Sequence, residues 1–403
     1  MEIKRHDYLQ ILADSAGKTD LVKVLTGMRR TGKTTVMLQH LGYLLSSGVP
    51  EESVCYIDLD LIGKEIAADE LRGMIQPCLD RDGLHYIFID EIQDVDGWER
   101  VVAMLVARKD CDVYITGSNS RMLSSELSTK LSGRYMEVEI LPLSFREFME
   151  LHGGDEDGMF LQYIRYGPLP SIEPERGDRV CRAQSEGVYS TVMIKDVLSR
   201  VSGRADKLRA VCRFLFSNIG RVTNAERISA ELKLSDDTVR KYLDALLEAH
   251  LFYHAERYDI VGRNVSRSKG KYYATDTGMR NVLVNANELR DIGAPLENIV
   301  FFELLRRGYK VFVGSYRDQE VDFTAIMGDE VRYYQVSQTV MAEETFILYL
   351  LEESLFEGLS HGDTHQGSIS SSESLLIFSQ SYRKCHINPP QRIRQSGKIS
   401  HHV

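Results

Sequence analysis

A glycine-bearing turn set between an apolar strand and a helix constrains this chain more than any other feature. Gly27-Met-Arg-Arg-Thr-Gly-Lys-Thr34 matches the pattern GxxxxGK[ST], with the short apolar run LVKVLTG (21–27) before it and helical periodicity from Thr31 to about Leu45 after it. Such a loop turns out of a buried strand and opens a helix whose first N–H groups have no intrahelical partner, which makes a cradle for anionic phosphate oxygens. Gly27, Met28, Arg29, Arg30, Thr31, Gly32, Lys33, Thr34 and Thr35 are therefore the candidate nucleotide-binding residues. Lys33, on a solvent-facing loop, is expected to reach the β- and γ-phosphates, and the Thr34 hydroxyl to take one Mg2+ position. ATP with Mg2+ is the ligand this pattern predicts.

Short apolar runs recur at SVCYIDLD (53–60), HYIFID (85–90) and DVYITGS (112–118), with helical segments at about 68–80 and 97–109 between them. Strand alternating with helix predicts a parallel sheet covered by crossover helices, a three-layer α/β domain over 1–150. Asp90 closes the second of these runs and is placed for an outer Mg2+ position, while Glu91 emerges beside it to orient or deprotonate a water. Acidic residues after a strand also serve as turn formers and helix caps, but a position 57 residues after Lys33 in this alternating pattern favours chemistry. Ser118 and Asn119, at the end of the next strand, are candidates to touch the γ-phosphate or the water. Arg134, with Arg29 and Arg30, would add positive charge against the phosphates, from its own subunit or across a subunit boundary; the oligomeric state stays open.

Beyond the first domain, residues 151–200 read as a helical connector. Three short helices (Lys207–Phe216, Ala225–Leu232, Asp236–Glu248) and two strand-like runs around a basic loop outline a winged helix over 201–280. Residues 201–275 hold 14 Lys+Arg against 9 Asp+Glu, a basic island in a chain of net charge -10. Arg240, Lys241, Arg263, Arg267, Lys269 and Lys271 are its candidate contacts to double-stranded DNA, a protein partner being the other reading of the same surface. The overall charge gives no whole-chain case for nucleic acid or an anionic membrane. The six cysteines lack metal-site or disulfide spacing, no apolar run approaches the about 18 residues of a membrane span, and the N-terminus leads into no signal core, so a cytoplasmic setting is expected.

The stretches VLTGMRRTGKTT (24–35), YIFIDEIQ (86–93), VYITGSNSRMLSSELSTKLSGRY (113–135), LPLSFREF (141–148), IKDVLSR (194–200), KYYATDTGMR (271–280) and ENIVFFELLRRGY through EVDF to YYQVS (297–337) occur in one order. Together they resemble the prokaryotic AAA-type ATPases in which a P-loop domain precedes a winged-helix and nuclease-like region of unknown function. The resemblance implies ATP binding and hydrolysis with Mg2+, with Gly27 through Thr35 as the nucleotide-binding loop, Asp90 and Glu91 as the acidic pair and Ser118 with Asn119 as the polar sensor; Lys33, Glu91, Asn119 and Arg134 are the candidate catalytic residues, and Thr34 with Asp90 the candidate metal positions. It also implies a small restriction-endonuclease-like α/β domain over 281–342. Its metal positions would fall on Glu303, Asp322 and Gln335-Val-Ser337, where glutamine and serine replace the usual glutamate and lysine, so that unit is expected to be inactive. After about 342 the pattern breaks into a serine- and histidine-rich tail (343–403), the appearance a shifted reading frame near 344 would produce. That tail is expected to be poorly ordered, with FILYLLEESLF (346–356) available as a helix over an exposed sheet edge. Two classes of function follow: a nucleotide-controlled ATPase switch, and a DNA-binding module under nucleotide control.

Overall fold

The computed structural model describes residues 3–62, 66–119, 131, 133–199, 201, 204–284, 293–317, 319–341 and 345–350. These residues belong to one unit, 1–351.

The first sheet has strands β1 (Val22–Thr26), β2 (Val54–Asp58), β4 (His85–Asp90), β6 (Cys111–Thr116) and β7 (Tyr135–Glu139), with β3 (Ile66–Ala67) and β5 (Val95–Asp96) forming a separate small parallel pair. The order is β2-β4-β6-β1-β7 and every pairing is parallel. Its central strands, β1 and β6, are buried along their whole length, which is why they read as near-continuous apolar runs rather than alternating ones. On one face Val22, Val24, Ile87, Ile89, Val113 and Ile115 pack against Leu71, Ile75, Val102 and Leu105 of the helices Ala68–Leu79 and Trp98–Arg108. On the other, Leu25, Phe88, Tyr114 and Val138 meet Tyr8 and Leu12 of His6–Asp14 and Val36, Met37 and Leu44 of Lys33–Ser46. This is the expected three-layer arrangement. The sequence pattern passes over β7, whose glutamates break the apolar run; Glu137 accepts a hydrogen bond from Thr26 Oγ1 at 2.7 Å and Glu139 one from Tyr253 Oη at 2.6 Å.

A capping box, Ser144 with Glu147, opens the helix Phe145–His152. The helices Glu156–Tyr166, Asp178–Thr191, Ala205–Ser217, Ala225–Leu232, Asp236–Glu248 and Thr277–Val284 follow, and Asp178–Thr191 continues into a π-helical stretch, Val192–Leu198. Residues 151–200, expected to be a connector, contribute Leu169, Ile172, Cys181, Val192, Met193 and Val197 to the same core as Leu215, Phe216 and Leu246. Three helices, Ala205–Ser217, Ala225–Leu232 and Asp236–Glu248, with the short strand β8 (Val222–Thr223) between the first two, precede β9 (Phe252–Asp259) and β10 (Asn264–Ala274), and β10 pairs antiparallel with both β8 and β9 in a winged-helix-like arrangement. The ribbon does not end there. β9 also pairs in parallel with β11 (Lys310–Tyr316), which continues through β12 (Gln319–Met327) to β13 (Glu330–Tyr334), giving one six-stranded sheet, β13-β12-β11-β9-β10-β8. The helix Gly293–Arg306 packs Phe301 and Phe302 against Tyr273, Val313 and Phe323 of that sheet.

The sheet is followed by a hairpin, β14 (Val336–Met341) with β15 (Thr345–Leu350). Thr345–Leu350 is therefore a strand, not the start of a covering helix, because its backbone pairs with β14 along the full register. The remainder of the expected tail lies outside the described residues.

Candidate functional site

The parallel order brings the carboxyl ends of β1, β4 and β6 side by side, and the residues just beyond them form the site. Gly27 leaves β1 at φ +133°, and a Cβ there would sit 2.5 Å from the carbonyl oxygen of Ile140, so only glycine fits. Gly32, at φ +101°, precedes the first turn of Lys33–Ser46. Between them Thr31 Oγ1 donates to the Met28 carbonyl at 2.9 Å, and Arg5 Nη1 braces the Thr31 carbonyl at 3.1 Å. Arg30 alone of the loop's long side chains faces solvent, from a left-handed backbone.

Lys33 does not project into solvent. It is 3 % exposed, with Nζ donating to the carbonyls of Gly27 at 3.0 Å and Met28 at 3.2 Å and lying 3.9 Å from Glu91 Oε1. The loop curls over its own lysine, which corrects the expectation of a solvent-facing side chain; burial lowers the Lys33 pKa. Thr34 Oγ1 donates to Asp90 Oδ2 at 2.8 Å. Thr116 Oγ1, at the end of the neighbouring strand, donates to Asp90 Oδ1 and accepts the Glu91 N–H at 2.9 Å. Burial raises the Asp90 pKa against the opposing pull of these two hydroxyls. Glu91 takes a left-handed backbone, φ 55°, that turns its carboxylate back over the loop, where Gln93 Nε2 donates to it at 2.6 Å.

Arg29 Nε donates to Asp196 Oδ2 at 2.8 Å, and its Nη1 lies 3.7 Å from Glu91 and 3.8 Å from Asp60. Burial opposes its charge, but Asp196 and Glu91 more than offset that and raise its pKa. Ser118 Oγ donates to the other oxygen of Asp196 at 2.7 Å, and Asn119 is buried next to it in the chain. Thr35 is half-buried in the first helical turn.

Arg134 is placed elsewhere. Its carbonyl accepts the Val22 N–H, and β7 runs from Tyr135 opposite Val22 to Glu139 opposite Thr26. Arg134 thus stands at the amino edge of the sheet, a whole strand of about 3.3 Å per residue from the P-loop, with Nε donating to the Leu131 carbonyl. Within its own chain it does not meet the P-loop.

Thr116, Asp60 and Asp196 belong to the site and were not singled out from sequence. Thr116 had a signal, as the last residue of the strand beside Asp90. Asp196, 1 % exposed, lies within the IKDVLSR stretch (194–200), but nothing in that stretch by itself points to Arg29 or Ser118 as its partners.

Two uncharacterized proteins are similar to this chain over most of its length. One, from Haemophilus influenzae, is 36 % identical over 353 residues, covering 83 % of this chain and 86 % of its own. The other, from Methanocaldococcus jannaschii, is 30 % identical over 340 residues, covering 78 % and 74 %. The chain belongs to the same family as these two proteins. Within it, residues 19–149 match the AAA domain and residues 159–290 match a domain of unknown function. The first sheet is thus the P-loop NTPase fold of an AAA-type domain. Among solved structures, the Aeropyrum pernix ORC1 protein in complex with DNA is 13 % identical at a TM-score of 0.32, covering 72 % of this chain and 95 % of its own. In this family member the P-loop, Asp90, Glu91 and Ser118 fall in the AAA region, whereas Asp196 falls in the following one.

A second polar cluster lies on the six-stranded sheet. Lys271 Nζ, from the expected wing, is buried among Glu297 at 2.9 Å, Glu320 at 2.7 Å and Asp322 at 3.6 Å. Tyr273 Oη donates to Glu297 at 2.7 Å, and Gln335 Nε2 to Asp322 at 2.7 Å. Burial works against the Lys271 charge, but Glu297 and Glu320 outweigh it and raise its pKa. Two expectations are corrected here. Lys271 is an internal ion-pair partner rather than a DNA contact, and Glu303 faces Arg306 and Arg307 while Glu297 is the helix carboxylate that joins Asp322. Among the described residues no group of three or more His, Cys, Asp or Glu is arranged to hold a metal ion, and no helix is long and apolar enough to cross a membrane.

Proposed function

We propose that this protein binds ATP with Mg2+ between the P-loop and the carboxyl ends of β4 and β6, hydrolyses it, and uses the nucleotide state as a switch. The observation that carries this reading is the Thr34–Asp90 hydrogen bond at 2.8 Å beside Lys33 and Glu91. A hydroxyl and one carboxylate are the donor set with which Mg2+ is held when substrate phosphates complete its shell, so the residues present fit that ion without an all-protein cage. Bound there, Mg2+ would neutralise charge developing on the phosphate oxygens. Gly27–Thr35 supply N–H donors to the phosphates, Lys33 exchanges its loop carbonyls for phosphate oxygens, and Glu91 holds the attacking water, with Asn119 close to the same edge. Arg134, at the opposite edge of the sheet, has no part in this set within its own chain.

Lys33→Ala tests this reading. ATP hydrolysis should fall by about 100-fold or more and nucleotide affinity should weaken. Wild-type turnover by the purified variant would refute the assignment.

A second reading, DNA binding by 201–280 under nucleotide control, is supported by the exposed Lys241, Arg263 and Lys269 on the third helix and ribbon. It loses Lys271 to the internal cluster, and Arg240 is paired with Glu226.

A further inference from the structure

The π-helical stretch Val192–Leu198 grips the P-loop from outside the AAA region. Such i→i+5 turns are rare and concentrate at functional sites. This one carries Asp196, whose two oxygens serve two different parts of the sheet edge: Oδ2 accepts from Arg29 Nε at 2.8 Å, Oδ1 from Ser118 Oγ at 2.7 Å. Met28, the P-loop residue before Arg29, packs in the same core as Val192, Met193 and Val197. On the rim, Lys195 Nζ lies 3.4 Å from Asp60, the carboxylate that also faces Arg29.

The charge arrangement gives Asp196 a task. Arg29 is buried and has Glu91 within 3.7 Å. A buried guanidinium that loses its partner is left uncompensated, and the carboxylates already beside this one are Glu91, the group the ATPase reading assigns to water, and Asp60 at 3.8 Å. We propose that Asp196 is a positioning residue of the nucleotide site: by taking the Arg29 Nε hydrogen bond it keeps Arg29 from pairing with Glu91 more closely than the present 3.7 Å, and it fixes the end of β6 through Ser118, so that the region after the AAA domain sets the geometry for hydrolysis. This inference rests on the ATPase reading.

The test uses the full chain and the variants Asp196→Asn, Arg29→Gln, their double mutant and Ser118→Ala, with kcat and ATP affinity measured separately and folding checked by thermal melting. Asp196→Asn keeps the size of the side chain and removes its charge. Its kcat should fall at least about tenfold while ATP affinity stays within about threefold, because Asp196 acts through Arg29 and not on the phosphates. The double mutant should be no slower than the slower single variant, since both changes act on one arrangement. An active wild type with Asp196→Asn at full rate, or with additive losses in the double mutant, overturns the inference and leaves the ATPase reading intact. A wild type that neither binds nor hydrolyses ATP overturns both. If Asp196→Asn does not fold, the Ser118→Ala, Arg29→Gln double mutant decides: a kcat no lower than that of the slower single variant supports the proposal, because Asp196 joins the two side chains, and additive losses refute it.

Discussion

Asp90 and Glu91 are neighbours in sequence with separate surroundings. Asp90 takes hydroxyl hydrogen bonds from Thr34 and Thr116, whereas Glu91 faces the cations Lys33 and Arg29. Their substitutions should separate accordingly. Asp90→Asn should weaken Mg2+-dependent nucleotide affinity as well as turnover, and Glu91→Gln should keep ATP binding while losing hydrolysis. Equilibrium binding and single-turnover hydrolysis on both variants check this, and equal loss of binding in both would defeat the division. Lys23 and Asp112 illustrate the opposite case, an ion pair with no part in the site. Both are fully buried, Asp112 also accepting from Tyr114 Oη at 2.8 Å and from the Gly17 N–H at 2.7 Å. Removing one partner would leave an uncompensated charge in the core, a loss of about 3–5 kcal/mol, so Asp112→Ala is expected to lower the melting temperature severely.

Asp276 precedes the helix Thr277–Val284 and accepts the Met279 N–H at 2.6 Å, and burial raises its pKa to about 7. An unfolded aspartate titrates near about 3.9, so the folded state binds the extra proton between these values. The stabilisation is full below the unfolded pKa and is lost as pH rises through about 7. Thermal melts from pH 5 to 8 should show that decline, and Asp276→Asn, which keeps the carbonyl acceptor, should flatten it. In the winged-helix-like region, Lys241, Arg263 and Lys269 remain exposed. If they bear on duplex backbone, replacing them with alanine should weaken binding alike for unrelated sequences and reduce the salt slope by about 1 for each phosphate no longer neutralised. A wild type that binds no DNA at low salt assigns the surface to another partner.

At the scale of the whole molecule, residues 1–351 form one unit, and β15 closes its last hairpin. Truncation after Leu351 should leave melting temperature and ATP binding unchanged. Truncation after Thr345 removes β15, exposes the β14 edge, and should promote aggregation, read by light scattering. The P-loop, the acidic pair and four of the five strands of the first sheet, β1, β2, β4 and β6, were legible in the sequence because each is local: a turn needs glycine where its backbone enters the left-handed region, and a buried parallel strand needs an unbroken apolar run, which the glutamates of β7 interrupt. Three-helix segments with apolar stripes were legible for the same reason. What sequence spacing could not supply were the partnerships between distant side chains. Asp196 on Arg29 and Ser118, Lys271 among Glu297, Glu320 and Asp322, and Met28 in the core of the following region all join elements far apart in the chain. The same holds for Arg134, whose motif position suggested the cradle but whose strand runs parallel to β1 and leaves it at the opposite edge. Local pattern determined which elements form and where the P-loop lies. Tertiary packing alone decided which charges are buried together, because a buried ion is tolerated only beside a partner, and that partner is chosen by the fold.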